Sequence, residues 1–254
     1  MCSKADLSNA RAKLNWADAQ INILDREIGS FIDREPYRFR EKPKPHFQRE
    51  PNEAQRKLFE AGRFFEVVLT EEVPTPIKAG IGMVVQAQRD SLDYLAYALA
   101  VKNGAVEPND VYFVIADSDA CFSDKGAQRK LRRLSEDDRL TIEALKPYKG
   151  GNNLLSSLRW LNNKSKHRDL IAIATMPDVM HLGHSRYRRL LILPPGNTLC
   201  PNEQLICIEA NAEAQLHLSA TIAFREIGHA QGQPVIETLR EFSRLANSII
   251  DLFS

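Results

Sequence analysis

Several features that would point to a chemistry or a compartment are missing from this sequence. No uncharged apolar run reaches the ~18 residues of a membrane-spanning helix, and the polar start MCSKADLSNARAKLNW lacks the apolar segment of a signal peptide. The four cysteines form no CxxC pair, so neither a zinc ribbon nor a dithiol redox motif is indicated. A Gly-rich phosphate loop and a GxSxG nucleophile elbow are also missing. These absences predict a cytoplasmic protein with no membrane partner and no cofactor.

An excess of charge of one sign is lacking as well. The chain has 34 basic and 33 acidic residues, which gives a formal net charge of +1. No long-range field therefore favours nucleic acid, and RNA would need a local basic patch. The 254 residues contain no repeat and no low-complexity tract, and a hydrophobic content of 43% is ample for a packed core. We expect a single domain over residues 1–254.

The clearest pattern that is present lies at the start of the chain. Apolar residues follow alternating steps of three and four at Leu7, Ala10, Leu14, Ala17, Ile21, Leu24, Ile28 and Phe31. This spacing predicts one long helix with an apolar seam that lies along another helix. The second helix belongs either to the same chain or to a homodimer or partner protein that docks on residues 7–31. The many helical segments that follow favour packing within the chain.

The remaining segments predict an α+β fold, a helical bundle with one antiparallel sheet. The run VYFVIADS is short and extended, and two short helices follow it. Their inward-facing residues are predicted to be Leu131, Leu134, Leu140, Ile142 and Leu145. The helical core covers about 3–33 and 77–175, the sheet takes strands near 36–73 and 186–225, of which 186–225 is the strand-rich part, and a last helix covers 234–253.

The segment LLSSLRWLNNKSKHRDLIAIA, residues 154–174, is apolar at both ends and polar in the middle. Its polar residues include Asn162, Lys166, His167 and Arg168. On the earlier helix 81–100, Arg89 and Asp93 stand one turn apart and can pair. If the two helices pack, a carboxylate beside His167 would fix its tautomer and raise its pKa, which suits either an acid–base pair or a structural bridge.

These two helices resemble a group of uncharacterised bacterial proteins. The group is identified by one helix of the form I-G…R-x-x-L-D-x-L and a later helix with N-x-x-x-K-H-R. The matching residues are Ile81, Gly82, Arg89, Leu92, Asp93, Leu95 and Leu99, then Asn162, Lys166, His167 and Arg168. The resemblance covers about residues 60–175 and names no activity.

A second resemblance is to HEPN domains, helical bundles of toxin, antiphage and RNA-processing systems. Their metal-independent ribonucleases carry an Arg and a His on one helix, separated by four to six residues. Here seven residues separate Arg159 from His167, and Trp160 follows the Arg. The resemblance implies RNA binding or RNA cleavage. His167 would then act as general base on a ribose 2′-hydroxyl, with Arg168, Arg159 or Lys166 stabilising the phosphorane.

Two other interpretations stay open. The polar cluster can be a buried network that fixes the crossing of two helices in a non-catalytic structural or protein-interaction module. The motif HLGH places His181 and His184 at a spacing seen in metal sites, with Asp178 as a third ligand, in a segment expected to be a loop. The basic runs 129–133 and 186–189 are candidate phosphate contacts, although the acidic SEDD segment follows the first.

Overall fold

The computed structural model describes residues 4–44, 52–167, 173–182, 190–193, 205–209, 216–224 and 230–254. The chain divides into two compact units. Unit 1 contains Met1–Gly29, Val73–Ala174 and Ile222–Ser254, and unit 2 contains Ser30–Glu72 and Thr175–Thr221. The single domain expected over residues 1–254 stays a prediction.

Helices dominate the described residues, as the sequence predicted for an α+β fold. In chain order the elements are α1 (Ser8–Ile32), β1 (Tyr37–Lys42), α2 (Glu53–Ala61), β2 (Gly62–Leu69), α3 (Thr75–Lys102), α4 (Asp119–Phe122), α5 (Lys125–Leu131), α6 (Glu136–Ala144), α7 (Asn153–His167), β3 (Ile173–Leu182), β4 (Leu190–Leu193), β5 (Leu205–Glu209), β6 (Leu216–Phe224) and α8 (Val235–Asp251). Within the described part of the chain, no helix is long and apolar enough to cross a bilayer.

The central helix of unit 1 is α3, which packs against α7 and α8. Residues on several of its faces are buried, which explains its long apolar run. Its buried Gln88 donates from Nε2 to the Leu239 carbonyl at 2.6 Å and to Ser243 Oγ at 2.9 Å on α8. Towards α7, Gly82 allows a close approach, since a Cβ there would lie 2.5 Å from Ser165 Oγ.

The seam of α1 is buried within the chain at all eight predicted positions, from Leu7 to Phe31. Packing inside the chain is therefore confirmed for this apolar face. At the edges of this seam, two residues of α1 form ion pairs with α8. Arg11 pairs with Asp251 and Asp25 pairs with Arg240, each at 2.8 Å. These exposed ion pairs contribute little energy compared with the apolar seam.

Unit 2 contains a four-stranded sheet with the order β1-β2-β5-β4, in which each neighbouring pair is antiparallel. Its core joins Leu58 and Phe59 of α2 to Phe64 of β2 and Cys207 of β5. On β2 the buried Glu66 contacts Arg40 and Lys42 of β1. Burial alone raises the pKa of Glu66, but hydrogen bonds and charge from Lys42 and Arg40 outweigh it and bring the pKa below its ordinary value.

The antiparallel sheet predicted from strands near 36–73 and 186–225 is confirmed, with three differences in the secondary structure. The strand β6 does not join that sheet but forms a separate two-stranded sheet with β3. The segment near His181 was expected to be a loop and is part of β3. The polar helix was predicted to continue to residue 174, but residues 173 and 174 belong to β3, while residues 168–172, after the described part of α7, lie outside the described residues.

The inward-facing residues of the short helices were predicted with one error. Leu131, Leu134 and Ile142 are buried and Leu145 is half-buried, whereas Leu140 is 51% exposed. The buried residues of α6 are Asp138 and Ile142, four positions apart, so they share one face of the helix. Leu140 lies halfway between them in sequence and therefore on the opposite face. The prediction failed because it assigned apolar residues to the inner face of α6, whereas this face carries the buried Asp138.

A tight connection before α7 sets where this helix begins. The amide of Asn152 donates to the carbonyl of Lys146 at 2.8 Å, and the Asn152 side chain accepts from the amide of Leu155 at 3.1 Å, which caps α7. Between these bonds the chain folds closely on itself. A Cβ on Gly151 would lie 2.5 Å from the Lys146 carbonyl oxygen and 2.9 Å from Tyr148 Cε2. Only glycine fits there without moving the backbone.

We expect Gly151→Ala to lower the free energy of unfolding by about 1–3 kcal/mol, since overpacking here moves backbone atoms. Gly29→Ala is the matched control, because nothing lies within 4 Å of a Cβ at this position in α1. It should stabilise the protein by ~0.5–1 kcal/mol through helix propensity. Thermal melts check both, at about 2–4 °C per kcal/mol. Equal melting temperatures for the two variants would contradict the close packing at Gly151.

Candidate functional site

A cleft of about 480 Å³ lies in unit 1 between α3, α5, α7 and the extended segment 111–117. Its charged lining residues are Arg89, Asp117, Asp124, Lys130 and Arg159. The extended segment forms one wall of the cleft. Most of this segment is buried and apolar, which holds it against the helices, while its polar ends stand at the cleft.

Arg89 and Asp93 fasten this wall to α3. Arg89 Nη1 lies 2.7 Å from Asp93 Oδ1, so the predicted ion pair one turn apart on the helix is present. Both residues also bond the backbone of one residue in the wall. Arg89 Nη2 donates to the Phe113 carbonyl at 2.6 Å, and the Phe113 amide donates to Asp93 Oδ1 at 2.9 Å. The pair therefore satisfies both backbone polar groups of a buried residue that has no strand partner in the described part of the chain.

Burial makes this pair costly to break. The Arg89 side chain is 11% exposed, and the burial lowers its pKa, while the charge of Asp93 opposes that shift. The nearby guanidinium of Arg159 adds to the lowering by repulsion. A guanidinium remains protonated in proteins, so Arg89 keeps its charge and depends on Asp93 to balance it.

Arg159 on α7 reaches the opposite end of the wall and binds Asp117 through both terminal nitrogens of its guanidinium. One contact joins Arg159 Nη1 to Asp117 Oδ1, and Nη2 donates to Oδ2 at 3.1 Å. This hydrogen bonding holds the pKa of Asp117 below its ordinary range. Burial opposes the shift, and the charges of Arg159 and Lys149 add to the lowering. The backbone next to it is fixed, because the Ala116 amide donates to the Pro147 carbonyl at 2.8 Å.

An aromatic ring and a cation stand together at the rim of the cleft. The Tyr112 side chain is 49% exposed although it lies in a mostly buried segment. Lys130 of α5 places Nζ 5.0 Å from the centre of this ring, within cation–π distance. The cleft thus offers an aromatic face beside positive charge, a combination that can stack a planar ring and bind a phosphate.

The structure brings only part of the predicted site into the described residues. Arg89 and Asp93 are paired as described above, and α3 packs on α7 as expected. Asn162 of α7 is buried, 3% exposed, and its Oδ1 has no hydrogen-bond partner among the described residues. The side chains of Lys166 and His167, and the whole of Arg168, lie outside the described residues. Catalytic roles for the cluster stay a prediction.

The structure describes only part of the candidate metal ligands and of the two basic runs. His181 belongs to β3, but its side chain and the whole of His184 lie outside the described residues. The part of the chain that the structure describes contains no group of three or more acidic, His or Cys residues placed to hold a metal ion. In the basic run 129–133, Arg133 and Arg129 pair with Asp110, at 2.6 and 3.6 Å. The run 186–189 lies outside the description.

Sequence reasoning missed Tyr112 and Asp117, whereas Lys130 belongs to the basic run 129–133 that was predicted as a candidate phosphate contact. The meeting of these three residues depends on the wall being held by Arg89 and Asp93, which no local pattern reveals. One usable signal was present, since Tyr112 and Asp117 flank the apolar run Phe113–Ala116. No family model, curated protein or solved structure matches this chain. The functional argument therefore depends on the cleft itself.

We expect Asp93→Ala to lower the free energy of unfolding by roughly 2–4 kcal/mol, because it leaves a buried guanidinium and the Phe113 amide without their acceptor. Asp90→Ala is the matched control on the same helix, since Asp90 is about as exposed as Asp93 but pairs at 3.6 Å with Lys13, which is more exposed than Arg89, and accepts from Gln86. Its cost should stay below about 1 kcal/mol. Denaturant unfolding measures both. Equal losses for the two variants would show that the Arg89–Asp93 pair is not what holds the wall.

Proposed function

We propose that unit 1 binds single-stranded RNA in this cleft and that the protein is a HEPN-like helical RNA-binding protein. The observation that carries the proposal is the exposed Tyr112 ring beside Lys130, on the same cleft as Arg159. Proteins that bind single strands combine aromatic faces, on which bases stack, with cations that follow the phosphates. With a chain net charge of +1, no long-range field attracts RNA, so binding would rest on these local groups.

The three side chains would divide the work by their chemistry. The Tyr112 ring stacks on an unpaired base, and Lys130 contributes a positive charge next to it. Arg159 presents a planar pair of donors, which suits two oxygens of one phosphate. Arg89 is committed to Asp93 and Phe113, so its role is to hold the wall on which Tyr112 stands.

RNA cleavage is the further part of this proposal. Arg159 and His167 belong to the same helix α7 and are eight residues apart, which places them ~12 Å apart along its axis. His167 would act as general base on a 2′-hydroxyl without a metal ion, with Arg168 or Lys166 stabilising the phosphorane. RNA bound at Arg159 would extend along α7 towards His167. Binding does not require cleavage, so the two activities are tested separately.

A second candidate function, a non-catalytic interaction module, is favoured by a different surface. A shallow apolar groove lies in unit 1 between α1 and α3, lined by Trp16 and Met83. It is continued by a second groove lined by Trp16 and Tyr94. All three side chains are exposed. A homodimer or partner protein that uses the helix 7–31 would therefore dock on the Trp16 face, since the seam itself is buried.

Tyr112→Ala should weaken the binding of a single-stranded RNA oligonucleotide by about 5- to 150-fold, the loss that corresponds to ~1–3 kcal/mol per stacked base. Arg159→Gln should reduce the slope of log affinity against log salt by ~0.7, the loss of one phosphate contact. Fluorescence anisotropy over a range of salt concentrations measures both. RNA cleavage that persists in chelator and is lost in His167→Ala would support the catalytic part of the proposal.

The matched controls are Tyr97→Ala and Arg240→Gln. Tyr97 is an exposed tyrosine of α3 that does not line the cleft, and Arg240 pairs with Asp25 on another surface. Both should leave RNA affinity unchanged. RNA binding that is absent, or equally weakened by cleft and control variants, would refute the proposal. If the protein binds no RNA and Trp16→Ala changes its oligomeric state, the interaction module would be favoured instead.

A further inference from the structure

Arg159 already binds an anion, and that anion is part of the same chain. Its two terminal nitrogens contact the two carboxylate oxygens of Asp117 in a bidentate pair. Phosphate presents two oxygens to a guanidinium in the same fork geometry. The Asp117 carboxylate therefore occupies the position on Arg159 that one RNA phosphate would take.

Only this carboxylate of the cleft is free to leave its partner. The Asp117 side chain is 74% exposed, whereas its neighbour Ala116 is tied by its backbone to Pro147. Rotation about the side-chain bonds of Asp117 would thus uncover Arg159 without unfolding the wall. By contrast, Asp124 accepts from the Ala127 amide at 2.8 Å and caps α5, and Asp93 holds Arg89.

The net charge around the cleft becomes positive when Asp117 leaves. In the observed arrangement, the cations Arg89, Lys130 and Arg159 are balanced by the carboxylates of Asp93, Asp117 and Asp124. Without Asp117 the cations are in excess, and the guanidiniums of Arg89 and Arg159 repel each other with less compensation. An incoming phosphate would relieve that repulsion, since it replaces one anion by another.

We propose that Arg159 is a phosphate subsite whose resident ligand is the Asp117 carboxylate, and that a phosphate group of the ligand binds by exchange with it. This inference rests on the proposed RNA-binding function and names the chemistry of its phosphate contact. Asp117 lowers the affinity for every phosphate ligand because the ligand has to displace it. It also keeps Arg159 extended towards the cleft when no ligand is bound.

The test uses inorganic phosphate as the probe, measured by isothermal titration calorimetry on the full chain. Asp117→Asn should bind phosphate roughly two- to fivefold more tightly than the unaltered protein, which is the size of effect expected for an exposed ion pair. Arg159→Gln should lose phosphate binding. Equal melting temperatures without phosphate would show that Asp117→Asn leaves the fold intact.

Asp110→Asn is the control for charge. Asp110 is also exposed and paired with arginines, Arg129 and Arg133, but it does not line the cleft. It changes the net charge as much as Asp117→Asn does, and it should leave phosphate affinity unchanged. Unchanged or weaker binding in Asp117→Asn would overturn the exchange, and so would equal tightening in Asp110→Asn.

The same variants titrated with RNA separate the two proposals. If phosphate tightens on Asp117→Asn but no RNA binds, the exchange stands for a small phosphorylated ligand and the RNA function fails. If RNA binding depends on Tyr112 but neither ligand responds to Asp117→Asn, the RNA function stands and the exchange is wrong.

Discussion

The ion pair between Arg89 and Asp93 is the constraint on which the rest of the site depends. Among the described residues, the segment 111–117 pairs only at Ala116, in an isolated bridge to Tyr148, yet most of it is buried, so its other backbone polar groups need partners. At Phe113 both groups are bonded to this pair. Without these two bonds at Phe113, apolar contacts alone would not fix the position of the segment against α3. Because leaving either charge of this buried pair without its partner is costly, the segment is held in this one arrangement.

The cleft follows from that attachment. Once Phe113 is fixed, its neighbour Tyr112 points its ring to solvent beside Lys130, and Asp117 reaches Arg159 at the other end. A structural network can therefore support the proposed binding surface. The buried pair is architectural, and the groups that it positions are exposed and chemically able to hold a base and a phosphate.

Local patterns predicted the elements well, and long-range contacts explain what they missed. The seam of α1 and the pair Arg89–Asp93 were readable because three- and four-residue spacings place side chains on one helix face. The strand β3 was missed, since strand pairing with a segment some forty residues away leaves no periodic signal in a short apolar stretch. Likewise Tyr112 and Asp117 become a site only through Arg159 and Lys130. Of the residues that the sequence proposed as a site, Arg89 lines the cleft, whereas the side chains of Lys166 and His167 and the whole of Arg168 lie outside the described residues.

Hydrogen exchange with and without single-stranded RNA tests most directly whether the wall held by Arg89 and Asp93 is a binding surface. The account predicts that RNA slows exchange in segments 111–117 and 125–131, the wall and α5, while α1 and α8 keep their free-protein rates. Slowed exchange on the Trp16 face of α1, or no change in any segment at saturating RNA, would contradict it.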